Sequence, residues 1–394
     1  MTTTADVVII GGGVEGIACA LSLAERGETS VIVFERGGVA EGGTGRSSGI
    51  VRAHYGIPSL AEMARIGAAY LATAPERLGD DIGYHEVGYV VAVAPADVPA
   101  LQANLAMQRR VGVDTHEISR DDVAELFPFA DLDDFGAFGY ESAAGYGDPA
   151  RTCLAMAARA RTLGVTIRQQ TLVTTVAKAD GGGWVIETAH DRYEAETLVV
   201  AAGVHTARLV APLGITIPLR PQREQLLVVD PHRDLGRLPV LSDLVELQYL
   251  RVEPTSEVLV GNSDHRSPEY VTDPDSFQSR ADTEFVELAV GKLMRRFPRL
   301  DEAGLKSTYA GIYDVTPDFN PVITIDDDRL VLACGFSGHG FKIAPAVGEL
   351  VADLIVEGAS RNPNVPTGEF RLERFDEGAP LASEHPYRTA GQMR

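Results

Sequence analysis

Val7-Val8-Ile9-Ile10 is an unbroken β-branched run that ends in Gly11-Gly12-Gly13, the pattern of a short strand buried on both faces of a parallel sheet. Behind it Ile17, Ala20, Leu21 and Ala24 recur on one stripe, which predicts a helix over 14–26 closed by Gly27. Val31-Ile32-Val33-Phe34 gives a second buried strand ending at Glu35, so the first 35 residues form a βαβ unit. Thr197–Gly203 (TLVVAAG) and Arg329–Gly335 (RLVLACG) are further apolar runs halted by glycine, as expected of more strands in the same sheet. Ile343, Val347, Leu350, Val351, Leu354 and Ile355 then predict a helix that packs back on it, with Pro345 near the helix start.

The segments between have a different texture. Leu226–Val229 and Val258–Val260 are short strand-like runs, and the alternation in Val245-Glu246-Leu247-Gln248-Tyr249 predicts a half-buried antiparallel sheet. The expected fold is therefore α/β combined with α+β. A Rossmann-like nucleotide-binding domain is assembled from 1–75, 147–215 and 311–381, and an antiparallel-sheet substrate domain from 76–146 and 216–310. The polar, aperiodic stretch 382–394 is expected to be a loosely held tail.

Composition narrows the function. With 45% apolar and 23% charged residues in 394, the chain is of ordinary globular type. Its 35 basic and 56 acidic residues leave a net charge of −21, which disfavours nucleic acid and anionic lipid as partners. The three cysteines, Cys19, Cys153 and Cys334, are far apart and in no metal-ligand spacing, so neither a disulfide framework nor a metal site is expected. No basic residue precedes Arg26, as a secretory leader would require, and the richest apolar stretch, 198–219, is interrupted by His205 and Arg208. A protein of the cytoplasm, outside the membrane, is the expectation.

Gly11-Gly12-Gly13-Val14-Glu15-Gly16 is a GxGxxG between a predicted strand and a predicted helix, and Glu35 ends the next strand 24 positions after Gly11. In that setting Gly11 turns the chain, Gly13 admits a pyrophosphate and Gly16 permits close helix packing. The Val14–Glu15 helix start offers amides to the phosphates, and Glu35 can accept from ribose hydroxyls, with Arg36 beside it. The motif suits NAD and FAD alike.

Two later segments bear on that choice. The block 42–56 (GGTGRSSGIVRAHYG) is long for a βα connection and dense in small polar donors, with Thr44, Arg46, Ser47 and Ser48 able to wrap a phosphate or a flavin ring. The stretch 334–342 (CGFSGHGFK) is a second glycine-rich turn from strand to helix, formed by Gly335, Gly338, His339, Gly340 and Phe341. Its amides can stabilise negative charge on a reduced flavin.

Together these segments resemble the FAD-dependent amine oxidoreductases of the D-amino acid oxidase superfamily, notably monomeric sarcosine oxidase, glycine oxidase and the sarcosine oxidase β subunit. Three blocks, 6–56, 171–206 and 307–358, carry the resemblance over about 140 of the 394 residues. It implies FAD as cofactor and a substrate carboxylate gripped by Arg52 and Lys342. It further implies Tyr313 and Tyr249 in the substrate cavity, and Val173 and Gly203 beside the cofactor. Where monomeric sarcosine oxidases attach FAD through cysteine this chain has Gly311, which implies non-covalent FAD. Where they place an oxygen-activating lysine it has Leu259, and its four lysines, Lys178, Lys292, Lys306 and Lys342, all lie elsewhere. The reading is oxidation of a small amino or N-alkyl amino acid with hydride passing to flavin N5, and dehydrogenase is favoured over oxidase. The electrons go to an acceptor or partner subunit; the alternative is an electron-transferring FAD subunit of a larger complex.

Overall fold

A computed structural model describes residues 3–28 and 30–388. Its first sheet is built on parallel strands in the spatial order Thr166–Arg168, Val31–Phe34, Thr3–Ile10, Arg192–Val200. The last of these is shared. Its first half pairs antiparallel with Trp184–Thr188, and its second half pairs parallel with Leu330–Cys334. Side chains alternate between two fully covered faces, which is why these strands read as continuous apolar runs. Val7, Ile9, Val31, Val33, Val199 and Val331 face one apolar cluster, while Val8, Ile10, Ile32, Phe34, Leu198 and Leu332 face another. Every strand of this sheet lies within 1–75, 147–215 or 311–381.

Helices Val14–Glu25, Gly340–Val356, Pro58–Ala72 and Pro149–Thr162 cover the first of those faces. They approach one another through glycine. A Cβ on Gly348 would lie 2.6 Å from the Ala18 carbonyl oxygen, and one on Gly67 only 1.8 Å from that of Lys342. Pro345 is not at the helix start but within it, since the helix begins at Gly340, and it forgoes the bond to the Phe341 carbonyl.

The second sheet runs Gly304–Val315, Arg220–Asp230, Val258–Asn262, Gln248–Val252, Val240–Asp243, Tyr89–Val93, Ala137–Glu141, Thr115–Ile118. It is antiparallel except at one seam, where Val240–Asp243 and Tyr89–Val93, one strand from each inserted segment, pair in parallel. Helix Thr283–Arg296 packs on one face of the sheet through Ala289 and Leu293, against Leu227, Leu250 and Val260. Only the end of the alternating stretch 245–249 is strand: residues 244–247 form the hairpin turn between Val240–Asp243 and Gln248–Val252, with Leu247 at φ +55°, and Gln248 and Tyr249 open the antiparallel strand that follows.

The tail also departs from expectation. Tyr387 is buried, the His385 carbonyl accepts from Asn104 Nδ2 at 3.0 Å, and the Arg388 amide donates to Asp97 at 3.0 Å. Burial of one aromatic and two anchored backbone groups hold 385–388 against the second sheet; 389–394 lie outside the described residues.

Gly67 provides a test. Within a helix, Gly→Ala ordinarily stabilises by about 1 kcal/mol. Here Gly67→Ala is expected to destabilise by about 1–3 kcal/mol, read as a lower urea midpoint, because the methyl meets the backbone that carries Lys342.

Candidate functional site

The strand-turn-helix at 7–16 has the backbone economy that its glycines predict. Gly11 sits at φ +120° with Ala201 against it, and a Cβ on Gly16 would meet the Gly11 carbonyl oxygen at 2.1 Å. Gly13 is an extended N-cap with no side chain to cap the helix, which leaves first-turn amides to a ligand. The Val14 amide donates to Thr44 Oγ1 at 3.0 Å, tying the 42–56 block to this helix start. Glu35 accepts from the amides of Gly12 and Gly37, both at 2.7 Å, and so fixes both loops around itself.

Other members of the expected set are already engaged within the protein. Arg36 pairs with Asp275 at 2.6 Å. Arg46 donates to the carbonyls of Glu41 and Gly42 at 2.8 and 3.1 Å, closing its own turn. Ser47 Oγ accepts from the Gly49 amide, and the Ser48 carbonyl accepts from Arg251 Nε at 2.7 Å. Val173 is buried at the start of strand Val173–Lys178, and Gly203 opens a turn at φ +53° beyond strand Arg192–Val200.

Glu15 is the unusual occupant of the glycine motif. Both carboxyl oxygens are buried without a hydrogen-bond partner, and one lies where a Cβ on Gly340 would come within 2.5 Å. Burial, and then nearby Asp314, push its carboxyl well above the usual range, with Lys342 opposing. Two glycines of the second turn are equally constrained. Gly335 at φ +72° donates its amide to Asp314 at 2.7 Å, and a Cβ on Gly338 at φ +85° would enter the Tyr313 ring at 2.5 Å. His339 is the N-cap of helix Gly340–Val356, and its Nδ1 is 3.0 Å from the Tyr55 hydroxyl. Phe341 is buried in the helix-side core.

One cavity gathers residues from both units. Arg52, Lys342, Tyr313 and Tyr249 all line it, together with Ser48, Gly338 and His339. Arg52 reaches it because Ile50–Val51 is a short strand pinned antiparallel to Gly145–Tyr146. Its guanidinium donates to the His54 carbonyl and lies over the Tyr55 ring at 4.5 Å. Lys342, one turn into its helix, has Nζ 3.5 Å from the Gly338 carbonyl and 6.0 Å from the same tyrosine ring. Two buried cations thus share one aromatic, a layout that favours an anionic guest.

Behind Arg52 the Ala53 amide donates to both oxygens of Glu141, at 2.8 and 2.9 Å. His54 is held between Tyr387 OH at 2.8 Å and Gln108 Nε2 at 3.2 Å. Sequence reasoning missed these supports, and it missed the cavity walls Tyr89, Ser242, Asn262, Ser263 and His265. The walls sit on inserted strands and loops that carry no motif, and Tyr387 sits in a segment without periodicity. Leu259 is buried, and directly opposite it on the neighbouring strand stands Arg251, paired with Glu253 at 2.8 Å.

Burial lifts Glu141 to about 7 against the pull of the Ala53 amide and of Arg52. The folded protein therefore holds a proton that the unfolded chain releases near 4.5, so this group's contribution makes stability fall as pH rises from about 4.5 to about 7. Glu141→Gln is expected to flatten that part of the stability–pH curve by about 1–3 kcal/mol, measured by urea unfolding at several pH values.

Residues 6–354 match the family model described as FAD dependent oxidoreductase (DAO). A Xenopus laevis protein named FAD-dependent oxidoreductase domain-containing protein 1 is 28% identical, over 96% of this chain and 84% of its own. The sarcosine oxidase subunit beta of an Arthrobacter species is 26% identical, over 96% and 93%. Among solved structures, L-proline dehydrogenase from P. horikoshii superposes with a TM-score of 0.88 at 25% identity, over 97% of this chain and 100% of the other.

Proposed function

The chain belongs to the DAO family of FAD-dependent oxidoreductases, and on that premise we propose that it oxidises a small amino or N-alkyl amino acid of the sarcosine or glycine kind. The bond oxidised is Cα–N or N-methyl, and the product is an imine that water hydrolyses. FAD, when bound, supplies the hydride acceptor, flavin N5.

The residues present fit that cofactor. Two helices, at Val14 and Gly340, begin without a cap from their own N-cap side chains, and Gly11, Gly16 and Gly338 at their starts leave no room for a Cβ. We assign the diphosphate to Gly11, Gly13, Val14 and Gly16, with Thr44 closing over it, and the ribose to Glu35. Gly203, Val173, Ser47 and Ser48 border the path, and Gly335, Gly338, His339 and Gly340 meet the flavin end. Gly311 faces Arg46, with no nucleophile to form a covalent link.

The observation that carries the substrate reading is the placement of Arg52 and Lys342 on one cavity wall set with Tyr313 and Tyr249. A guanidinium and an ammonium together fix a carboxylate, and fixing it orients the neighbouring C–H. The remaining walls contain Ser242, Asn262, Ser263 and His265, which suits a small polar guest better than a bulky apolar one. Leu259 offers no charge, and Arg251 opposite it is balanced by Glu253. This supports a dehydrogenase that passes electrons to an acceptor or partner subunit rather than to dioxygen. Cys19, Cys153 and Cys334 are buried and unpaired, in keeping with a reducing cytoplasm, and no helix of the described residues is long and apolar enough to cross a membrane.

Anaerobic mixing with a panel of amino and N-methyl amino acids is expected to bleach the flavin absorbance with a small polar member. Slow recolouring on admission of air fits a dehydrogenase; rapid recolouring with peroxide marks an oxidase, and no bleaching by any member overturns the substrate reading. Arg52→Ala and Lys342→Ala should each raise KM by roughly 10–100-fold, with FAD retained.

A further inference from the structure

The connection 263–282, between strand Val258–Asn262 and helix Thr283–Arg296, belongs to the second unit and is fastened there at both ends. At its near end the Arg223 amide donates to the Glu269 carbonyl at 2.8 Å and the Val271 amide to the Pro221 carbonyl at 2.9 Å. At its far end the Ala310 amide donates to the Ser279 carbonyl at 2.8 Å. One guanidinium joins the two ends: Arg223, with 2% of its side chain exposed, holds Glu269, Asp282 and the carbonyls of Gln278 and Arg280. A buried charge held by two carboxylates and two carbonyls is costly to release.

The tip of the connection leaves its own unit. Asp275 reaches two cations and one imidazole of the first unit, Arg36 at 2.6 Å, Arg208 at 3.7 Å and His205 at 3.4 Å. Two residues on, the Phe277 ring lies under the Arg46 guanidinium at 5.9 Å. The tip is preformed, because Asp273 accepts from the amides of Asp275 and Ser276 at 3.1 Å each, through its carboxylate and its carbonyl respectively.

These partners mark a single line. Arg36 follows Glu35 at the end of strand Val31–Phe34. His205 is in the turn after strand Arg192–Val200, and Arg46 is in the turn whose Thr44 holds the Val14 amide. In open parallel sheets the ligand lies outside the carboxyl ends of the strands, which is the region this line crosses. We infer that residues 263–282 form a strap over the adenosine half of bound FAD, latched by Asp275, so that the cofactor enters and leaves only when Asp275 parts from Arg36, His205 and Arg208.

The two ends and the tip differ in strength. Asp275 is 37% exposed and Arg36 47%, so each latch contact is of the weak, salt-screened surface kind. The ends stay fastened while the tip opens. With Gly311 giving no covalent attachment, the strap makes release of FAD slower than the diphosphate contacts alone would.

The test is the rate at which the yellow holoenzyme loses FAD to an excess of a flavin-binding trap, followed by fluorescence, in Asp275→Ala, Asp275→Asn and Phe277→Ala. Asp275→Ala and Asp275→Asn should each release FAD roughly 3–10-fold faster, equivalent to one or two exposed contacts, and should lose most of the acceleration that added NaCl gives the native protein. Phe277→Ala should release faster with its salt response kept. Thermal unfolding of the FAD-free forms should be unchanged by Asp275→Asn, which separates a latch from a fold contact. Wild-type release rates in all three variants, or equal salt responses in native and Asp275 variants, would overturn the strap. A native protein that takes up no FAD would instead overturn the cofactor assignment itself.

Discussion

Close backbone approach between helices is the constraint from which the rest of this molecule follows. Gly16 lets the first helix lie on its own strand turn, Gly348 lets the helix beginning at Gly340 lie on Ala18, and Gly67 lets a third helix touch the Lys342 carbonyl. Contacts this short need the absence of a side chain. Their joint effect is to aim two helix starts, neither capped by its own N-cap side chain, at the same edge of the parallel sheet, where their partial positive charge is concentrated. Lys342 and Arg52 then add full charges at one end of that edge, and Arg36 at the other.

Much of this was legible in the sequence because buried parallel strands and their glycine turns leave strong local marks. The runs at 7–10 and 31–34 read directly as strands because both faces are covered, and GxGxxG with Glu35 located the first turn. Alternation misled at 245–247, because it is also what a tight turn leading into a half-buried strand produces: Leu247 at φ +55° belongs to the turn, and only Gln248 and Tyr249 to the antiparallel strand. Tyr387 was illegible for a different reason. A single aromatic anchoring a tail has no period, and its partner His54 lies 333 positions away. The walls Ser242, Asn262 and His265 left no signal either, since a polar residue on an inserted strand or in the connection after it looks the same whether it faces a cavity or water.

Charge is distributed unevenly in a chain with a net −21. Its buried cations are mostly arginines, each satisfied by more than one acceptor: Arg374 by Asp318 and the Asn320 carbonyl, Arg296 by Asp243 and Asp134. Planar guanidinium groups match several oxygens at once, which is why they tolerate burial. Against that background the cavity cations stand out for the aromatic ring and the main-chain carbonyls beside them. Glu141, the acid behind Arg52, is bound by the Ala53 amide through both oxygens and lifted by burial while Arg52 pulls the other way.

The shared strand Arg192–Val200 has a consequence for biogenesis. Its neighbours are Thr3–Ile10 on one side and, on the other, Trp184–Thr188 followed by Leu330–Cys334. As the chain leaves the ribosome, the opening βαβ unit must wait for strand Arg192–Val200 to pair with it. Its helix stays bare on the side of Ala18 until Gly348 has been synthesised. An early nucleotide-binding half that stays sticky through most of translation exposes the nascent polypeptide to aggregation and makes it a natural client for chaperones.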